Sequence, residues 1–114
     1  MTNLKVSKEF TSTPGPRYRK EGTFSGQQFR EDFLLDAIRK AIESDEILVV
    51  DLDGTAGYGT SFLEEAFGGL IRENNLELSV IDSHLEIIST EEEYLIDDIS
   101  EYLKNAEEQH YAHS

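Results

Sequence analysis

The chain has 114 residues, enough for one domain with a modest core, and 38% hydrophobic with 30% charged residues places it with globular rather than disordered chains. It has no cysteine, which excludes disulfides, thiolate metal sites and cysteine nucleophiles, and no apolar run approaches the length that crosses a bilayer. The net charge of −14 is unevenly placed: residues 1–40 hold eight Lys/Arg against five acids, a net of +3, and residues 41–114 hold two against nineteen, a net of −17.

Such an acidic surface repels nucleic acid and anionic membranes. It suits a basic protein partner, or simply solvates a small domain. No charged-apolar-small leader opens the chain, so a cytoplasmic protein is expected.

In chain order, Leu4, Val6 and Phe10 alternate with Lys5, Ser7 and Glu9, which predicts a strand over residues 3–12, with a hairpin bend as a variant. Residues 13–23, with Pro14, Gly15, Pro16 and Gly22, form a basic loop. Ser25 then caps a helix, Gln28 completes a capping box, and Phe24 and Phe29 occupy the staple positions. The helix, Gly26 to about Glu43, gathers Phe29, Phe33, Leu34, Ala37, Ile38 and Ile42 on one face. The run Glu46–Leu52 (EILVVDL) reads as a strand buried on both faces.

A glycine-rich turn over 54–60 leads into a second helix with Phe62, Leu63, Ala66, Phe67, Leu70 and Ile71 at helical spacing. Ser61 with Glu64 predicts a second capping box. Gly68 and Gly69 cost this helix about 1 kcal/mol each relative to Ala, which close approach of helix to sheet would offset. The stretches LELSVI and HLEIIS predict a last strand or short hairpin. Ser89 or Thr90 caps a third helix, supported by Glu92 or Glu93, with Leu95, Ile99, Tyr102, Leu103 and Ala106 on its inner face. Residues 108–114 are expected as a flexible tail. The alternation predicts a single α/β domain over 1–107: a small mixed β-sheet with three main helices packed on it.

Asp51-Leu52-Asp53-Gly54-Thr55, after an apolar run, resembles the nucleophile motif of haloacid-dehalogenase phosphatases. In that family one Asp attacks a phosphoryl group and the other is the acid/base. A phosphoaspartate mechanism also needs a cation on the phosphoryl group and further carboxylates for a metal. Downstream of Asp51 the basic residues are Arg72 and Lys104, and the acidic pair Asp97-Asp98 precedes that lysine, the reverse of the family order. The motif reads better as a strand end and an Asp-Gly turn, so no catalytic residues and no cofactor are expected.

The longer stretch VVDLDGTAGYGTSFLEEAFGGL carries a different resemblance. With Pro14-Gly15-Pro16-Arg17, Phe24-Ser25-Gly26, Val49-Val50-Asp51 and Thr60-Ser61-Phe62-Leu63 followed by Gly68-Gly69, the chain resembles the STAS-like domains over about residues 3–107. Those are relatives of the anti-sigma-factor antagonists, and the resemblance is to a small prokaryotic family among them of unknown function. It implies a STAS-like fold and a non-enzymatic regulatory, protein-interaction role, with a histidine-kinase-like ATPase as partner. In the antagonists a Ser at the matching helix start is phosphorylated by that partner. By position Thr60 takes the phosphoacceptor place and Ser61 the second hydroxyl, while Gly59 and Phe62 stand where the antagonists have Asp and Gly. Helix capping alone would also account for Thr60 and Ser61.

Arg17, Arg19 and Lys20, with Tyr58 in the glycine-rich turn, are candidate contacts for a partner or phosphate. Pairing with the domain's own acids is the alternative for the basic three. The 54–60 turn could instead cradle a nucleotide or another small ligand. His110 and His113 have helical metal-ligand spacing but no third ligand nearby, and His84 stands alone.

Overall fold

Leu48-Val49-Val50 favours extended backbone, and the fold places a strand on each side of it. In the computed structural model, which describes residues 2–112, β1 (Thr2–Lys5), β2 (Leu48–Asp51) and β3 (Leu85–Ile88) form one sheet in the order β1-β2-β3. Both pairings are parallel, with Leu4 opposite Val50 and Val50 opposite Ile87. The α/β class stands as expected, but this sheet is parallel rather than mixed. Parallel neighbours need long crossovers, and helices supply them. Helix α1 (26–44) joins β1 to β2; α2 (60–72) and α3 (Leu78–His84) join β2 to β3; α4 (Tyr94–Ala112) follows. Leu48, Val49 and Val50 are buried, as a strand covered on both faces requires.

Three elements differ from the sequence expectation. The first strand stops at Lys5, because Val6–Glu9 closes a helical turn in which Glu9 Oε2 accepts the Lys5 N–H at 2.7 Å. No hairpin forms there. The segment LELSVI contributes α3 instead of a strand. Its first amide, Leu78 N–H, donates to Glu107 Oε2 on α4 at 2.7 Å, so a carboxylate 29 residues away supplies the missing cap. Finally, α4 begins only at Tyr94 and continues through 108–112, where a tail was expected. Residues 113 and 114 lie outside the described residues. The inner face of α4 is as predicted: Leu95, Ile99, Leu103 and Ala106 are buried, with Tyr102 half-buried beside them.

The start of α1 carries the predicted cap with its reciprocal bond displaced by one residue. Ser25 Oγ accepts the Gln28 N–H at 3.0 Å, and Gln28 Oε1 accepts the N–H of Phe24 at 3.1 Å. Phe10 packs between the two staple rings, 5.6 Å from Phe24 and 5.3 Å from Phe29 between centroids.

Both long crossover helices contain a π turn, Arg30–Leu34 in α1 and Glu64–Gly68 in α2. A π turn admits one extra residue and redirects the side chains around it. Here the two turns meet through a buried ion pair between Arg30 and Glu65, whose side chains are only 4% and 5% exposed. Arg30 Nη1 also donates to the Glu65 carbonyl at 2.8 Å. A Cβ at Gly69 would collide with the Arg30 guanidinium. Of the glycine pair, expected to let helix approach sheet, Gly69 instead admits an arginine from α1, and Gly68 leaves room for the Glu64 carboxylate of its own helix.

This arrangement reverses a general rule. Gly→Ala in an ordinary helix stabilises by about 1 kcal/mol, yet Gly69→Ala should lower the denaturation midpoint. Arg30→Met should destabilise the domain, by less than the roughly 3–5 kcal/mol of a fully unpaired buried charge because Arg72 Nη2 still reaches Glu65 Oε1 at 3.3 Å, and adding Glu65→Leu should recover part of that loss. Urea titration decides, and a Gly69→Ala protein more stable than its parent would contradict the packing.

Candidate functional site

Open α/β sheets present their ligand-binding and partner-binding loops at the carboxyl ends of the strands. Here that end carries Lys5, the 52–59 loop, the first turn of α2 and the 89–93 loop. Lys5 Nζ lies 3.1 Å from Asp51 Oδ2, and Asp51 Oδ1 accepts the Asp53 N–H at 3.0 Å. Asp53 reaches across to the loop before α4. Its carboxylate accepts the Glu91 N–H at 3.0 Å, the Thr90 hydroxyl at 2.5 Å and the Thr90 N–H at 3.2 Å. Those donors, the Glu91 amide foremost, hold the Asp53 carboxyl below its ordinary range. Thr90 is therefore bound to Asp53, and Ser89 donates to the Glu92 carbonyl at 2.7 Å; neither caps α4 as expected.

The glycine-rich turn is tied down as well. Gly54 N–H donates to Glu91 Oε1 at 2.6 Å, Ala56 N–H to the Ser12 carbonyl at 2.8 Å and Gly57 N–H to Thr55 Oγ1 at 3.3 Å. Three amides of the turn are therefore engaged within the chain. Gly54 has φ 92°, and a Cβ there would press on Ser7 Oγ. Tyr58 donates its hydroxyl to the Leu52 carbonyl at 2.8 Å and packs its ring 5.7 Å from Phe62. Burial pushes its phenol well above the ordinary value. Tyr58 thus anchors the loop to β2 and α2.

Helix α2 starts two residues earlier than the expected Ser61 cap allows. Gly59 is the extended residue before the helix, Thr60 is the first helical residue and Ser61 the second. Both are exposed. Among the described residues neither hydroxyl takes part in a hydrogen bond. The Ser61–Glu64 capping box does not form, because Glu64 is drawn to two guanidinium groups. Arg17 pairs with it, and Arg72 does so at 2.6 and 3.2 Å. Charge-assisted bonds of this kind outcompete a neutral amide contact. Burial alone would push the Glu64 carboxyl up, but Arg72 and Arg17 outweigh it and hold it below the ordinary range.

The basic loop turns toward the domain's own acids. Arg17 joins Glu64 and lies 3.8 Å from Glu65, and Arg19 bonds Glu31 and Asp32 at 2.8 Å each. Lys20 sits 5.5 Å from the Tyr18 ring centroid and has no carboxylate partner among the described residues. Arg17 is thereby brought to α2 and Arg19 to α1, while Tyr58 stays with the carboxyl-end loops. His84 lies elsewhere, between the Val80 carbonyl at 2.8 Å and Asp45 at 3.1 Å. His110 packs against the Tyr111 ring, and His113 lies outside the described residues. Among the described residues no group of three or more His, Asp or Glu is placed to hold a metal ion, and no helix is long and apolar enough to cross a membrane.

The profile of a STAS-like domain of unknown function (DUF4325) matches residues 25–95, more than half of the chain. The chain belongs to this STAS-like family. The match runs from the α1 cap Ser25 to Leu95 in the first turn of α4, so it takes in β2, the 52–59 loop, both π turns and β3. No curated protein and no solved structure matches the chain. Reading the sequence of this STAS-like domain did not single out Arg30, Glu65 or Glu91. Arg30 had one visible signal, a permanent charge between Phe29 and Leu34 on an apolar helix face.

Because its folded carboxyl titrates below the unfolded value near 4.5, Glu64 contributes stability that is fully present above that value. The contribution is lost as pH falls through the lower folded value. Glu64→Gln should therefore destabilise the domain at pH 7, and the gap between the two proteins should close as pH falls through that lower folded value. Thermal melts across that range would show it; a gap independent of pH would contradict the ion-pair account.

Proposed function

We propose that this STAS-like domain is a non-enzymatic regulatory module of the cytoplasm that docks a histidine-kinase-like ATPase and is released when Thr60 or Ser61 is phosphorylated. The observation carrying this reading is the pair of exposed hydroxyls, without hydrogen-bond partners in the chain, in the first turn of α2. In such a transfer the hydroxyl oxygen takes the γ-phosphoryl group of ATP, ADP leaves and the hydroxyl proton is released. A phosphate there would sit at the positive end of α2, which favours it locally by roughly 0.3–1 kcal/mol. It would also add about −1.5 to −2 charges to a surface the partner must meet. Stability of the domain would change little while affinity changes greatly.

Family membership supports the reading, and so does the rigid setting of the hydroxyls. Tyr58, Asp51 and Asp53 brace the preceding loop, so the first turn of α2 is presented on a fixed scaffold. The engagement of both Asp residues by groups of the chain favours a binding role over phosphoryl chemistry at Asp51. The acidic half of the molecule suits a basic docking face on the partner.

Purification of the protein from its own cells with ATP present, read by mass spectrometry, tests this directly. An ATPase of that class should co-purify, with phosphate on Thr60 or Ser61 in the unbound fraction. Thr60→Glu with Ser61→Glu should weaken the complex at least tenfold, and the paired Ala variant should stay bound in ATP. Release of the Ala variant by ATP as fast as the parent would overturn the switch.

A further inference from the structure

A second surface lies away from the first turn of α2. Strand β3 pairs with β2 on one side and forms one edge of the sheet. Leu52 N–H donates to the Ile88 carbonyl at 2.8 Å, so the main chain of Ile88 faces the β2 side. Alternation along the strand turns Glu86 the same way and leaves the main-chain groups of Leu85 and Ile87 pointing outward. Beside this open edge runs a groove between β3 and α4. It is made of two adjoining hollows, ≈ 530 and ≈ 160 Å³, that share Ile87 and Ile96. Ile88, Tyr94 and Ile96 are 36%, 60% and 40% exposed, and all three line the larger hollow. An open strand edge beside a strip of exposed apolar side chains is the geometry that adds a strand from another chain.

Charge selects the occupant. Glu93 and Asp97 line the groove and Asp82 lines its lower end. Between Arg72 and Lys104 the sequence has ten acids and no Lys or Arg. A second copy of this chain, at net −14, would bring like charge to like charge, and nucleic acid or an anionic lipid surface would be repelled. We propose that the β3–α4 groove binds an extended basic segment of a partner protein, which adds a strand to β3, alternate apolar side chains filling the groove and Lys or Arg meeting Glu93 and Asp97. Main-chain pairing supplies register and the acidic rim supplies selection. This site is independent of phosphorylation at Thr60 or Ser61.

The test uses the intact protein and three synthetic nine-residue peptides: alternating Lys and Val, alternating Glu and Val, and the Lys-Val peptide with its central Val replaced by Pro. The Lys-Val peptide should bind and slow amide hydrogen exchange at Leu85 and Ile87 at least tenfold. The Glu-Val peptide should not bind. The Pro peptide keeps the charge but loses a ladder amide, and should bind at least tenfold more weakly. Ile96→Asp, at an exposed position, should weaken Lys-Val binding at least tenfold while the circular dichroism spectrum stays unchanged. Equal binding of the Lys-Val and Pro peptides, or binding that leaves Leu85 and Ile87 exchange unaltered, would reduce the surface to general electrostatic attraction and overturn the proposal.

Discussion

The buried contact of Arg30 with Glu65 constrains the rest of the molecule. Two charges held out of water persist only when each has a close partner. Meeting that condition requires α1 and α2 to approach at fixed positions along their lengths. The π turns at Arg30–Leu34 and Glu64–Gly68 set those positions, and Gly69 leaves the space that the guanidinium fills. The pairing is incomplete, since Arg30 Nε is buried without a hydrogen-bond partner. A hydrophobic pair of similar size would avoid that cost, so the ion pair serves the specificity of this helix crossing more than raw stability.

The same crossing organises the surface above it. Glu64, next to Glu65, takes Arg17 from the N-terminal loop and Arg72 from the end of its own helix. Three arginines and two glutamates thus link the loop, α1 and α2 in one network. The start of α2 inherits this rigidity at its inner turns. Its outer turn, with Thr60 and Ser61, is left facing solvent.

Features governed by neighbours in sequence were readable in advance. The apolar face of α1, the Ser25 cap, the doubly covered β2 and the inner face of α4 all follow from spacing within a few residues. Features that depended on distant partners were not. Residues 76–80 alternate Leu-Glu-Leu-Ser-Val like a strand, and the cap from Glu107 on α4 and the burial of Ile81 support the helical form of Leu78–His84. Glu64 sits three residues after Ser61, the spacing of a capping box, yet Arg17 from far upstream claims it. Asp51 and Asp53 imitate a catalytic pair because a strand end and an Asp-Gly turn need the same residues. The long-range bonds to Lys5, Thr90 and Glu91 distinguish the two uses.

The Leu78–Glu107 bond also has a consequence for how the chain acquires its structure. A helix of seven residues has little independent stability in water. Its cap arrives from the last element of the described chain, so α3 gains that support only after the C-terminal segment has docked. Until then the Leu-Glu-Leu-Ser-Val stretch keeps its strand-like pattern while the rest is being made. In the order of synthesis α4 comes after this segment, so the bond that caps α3 is added late.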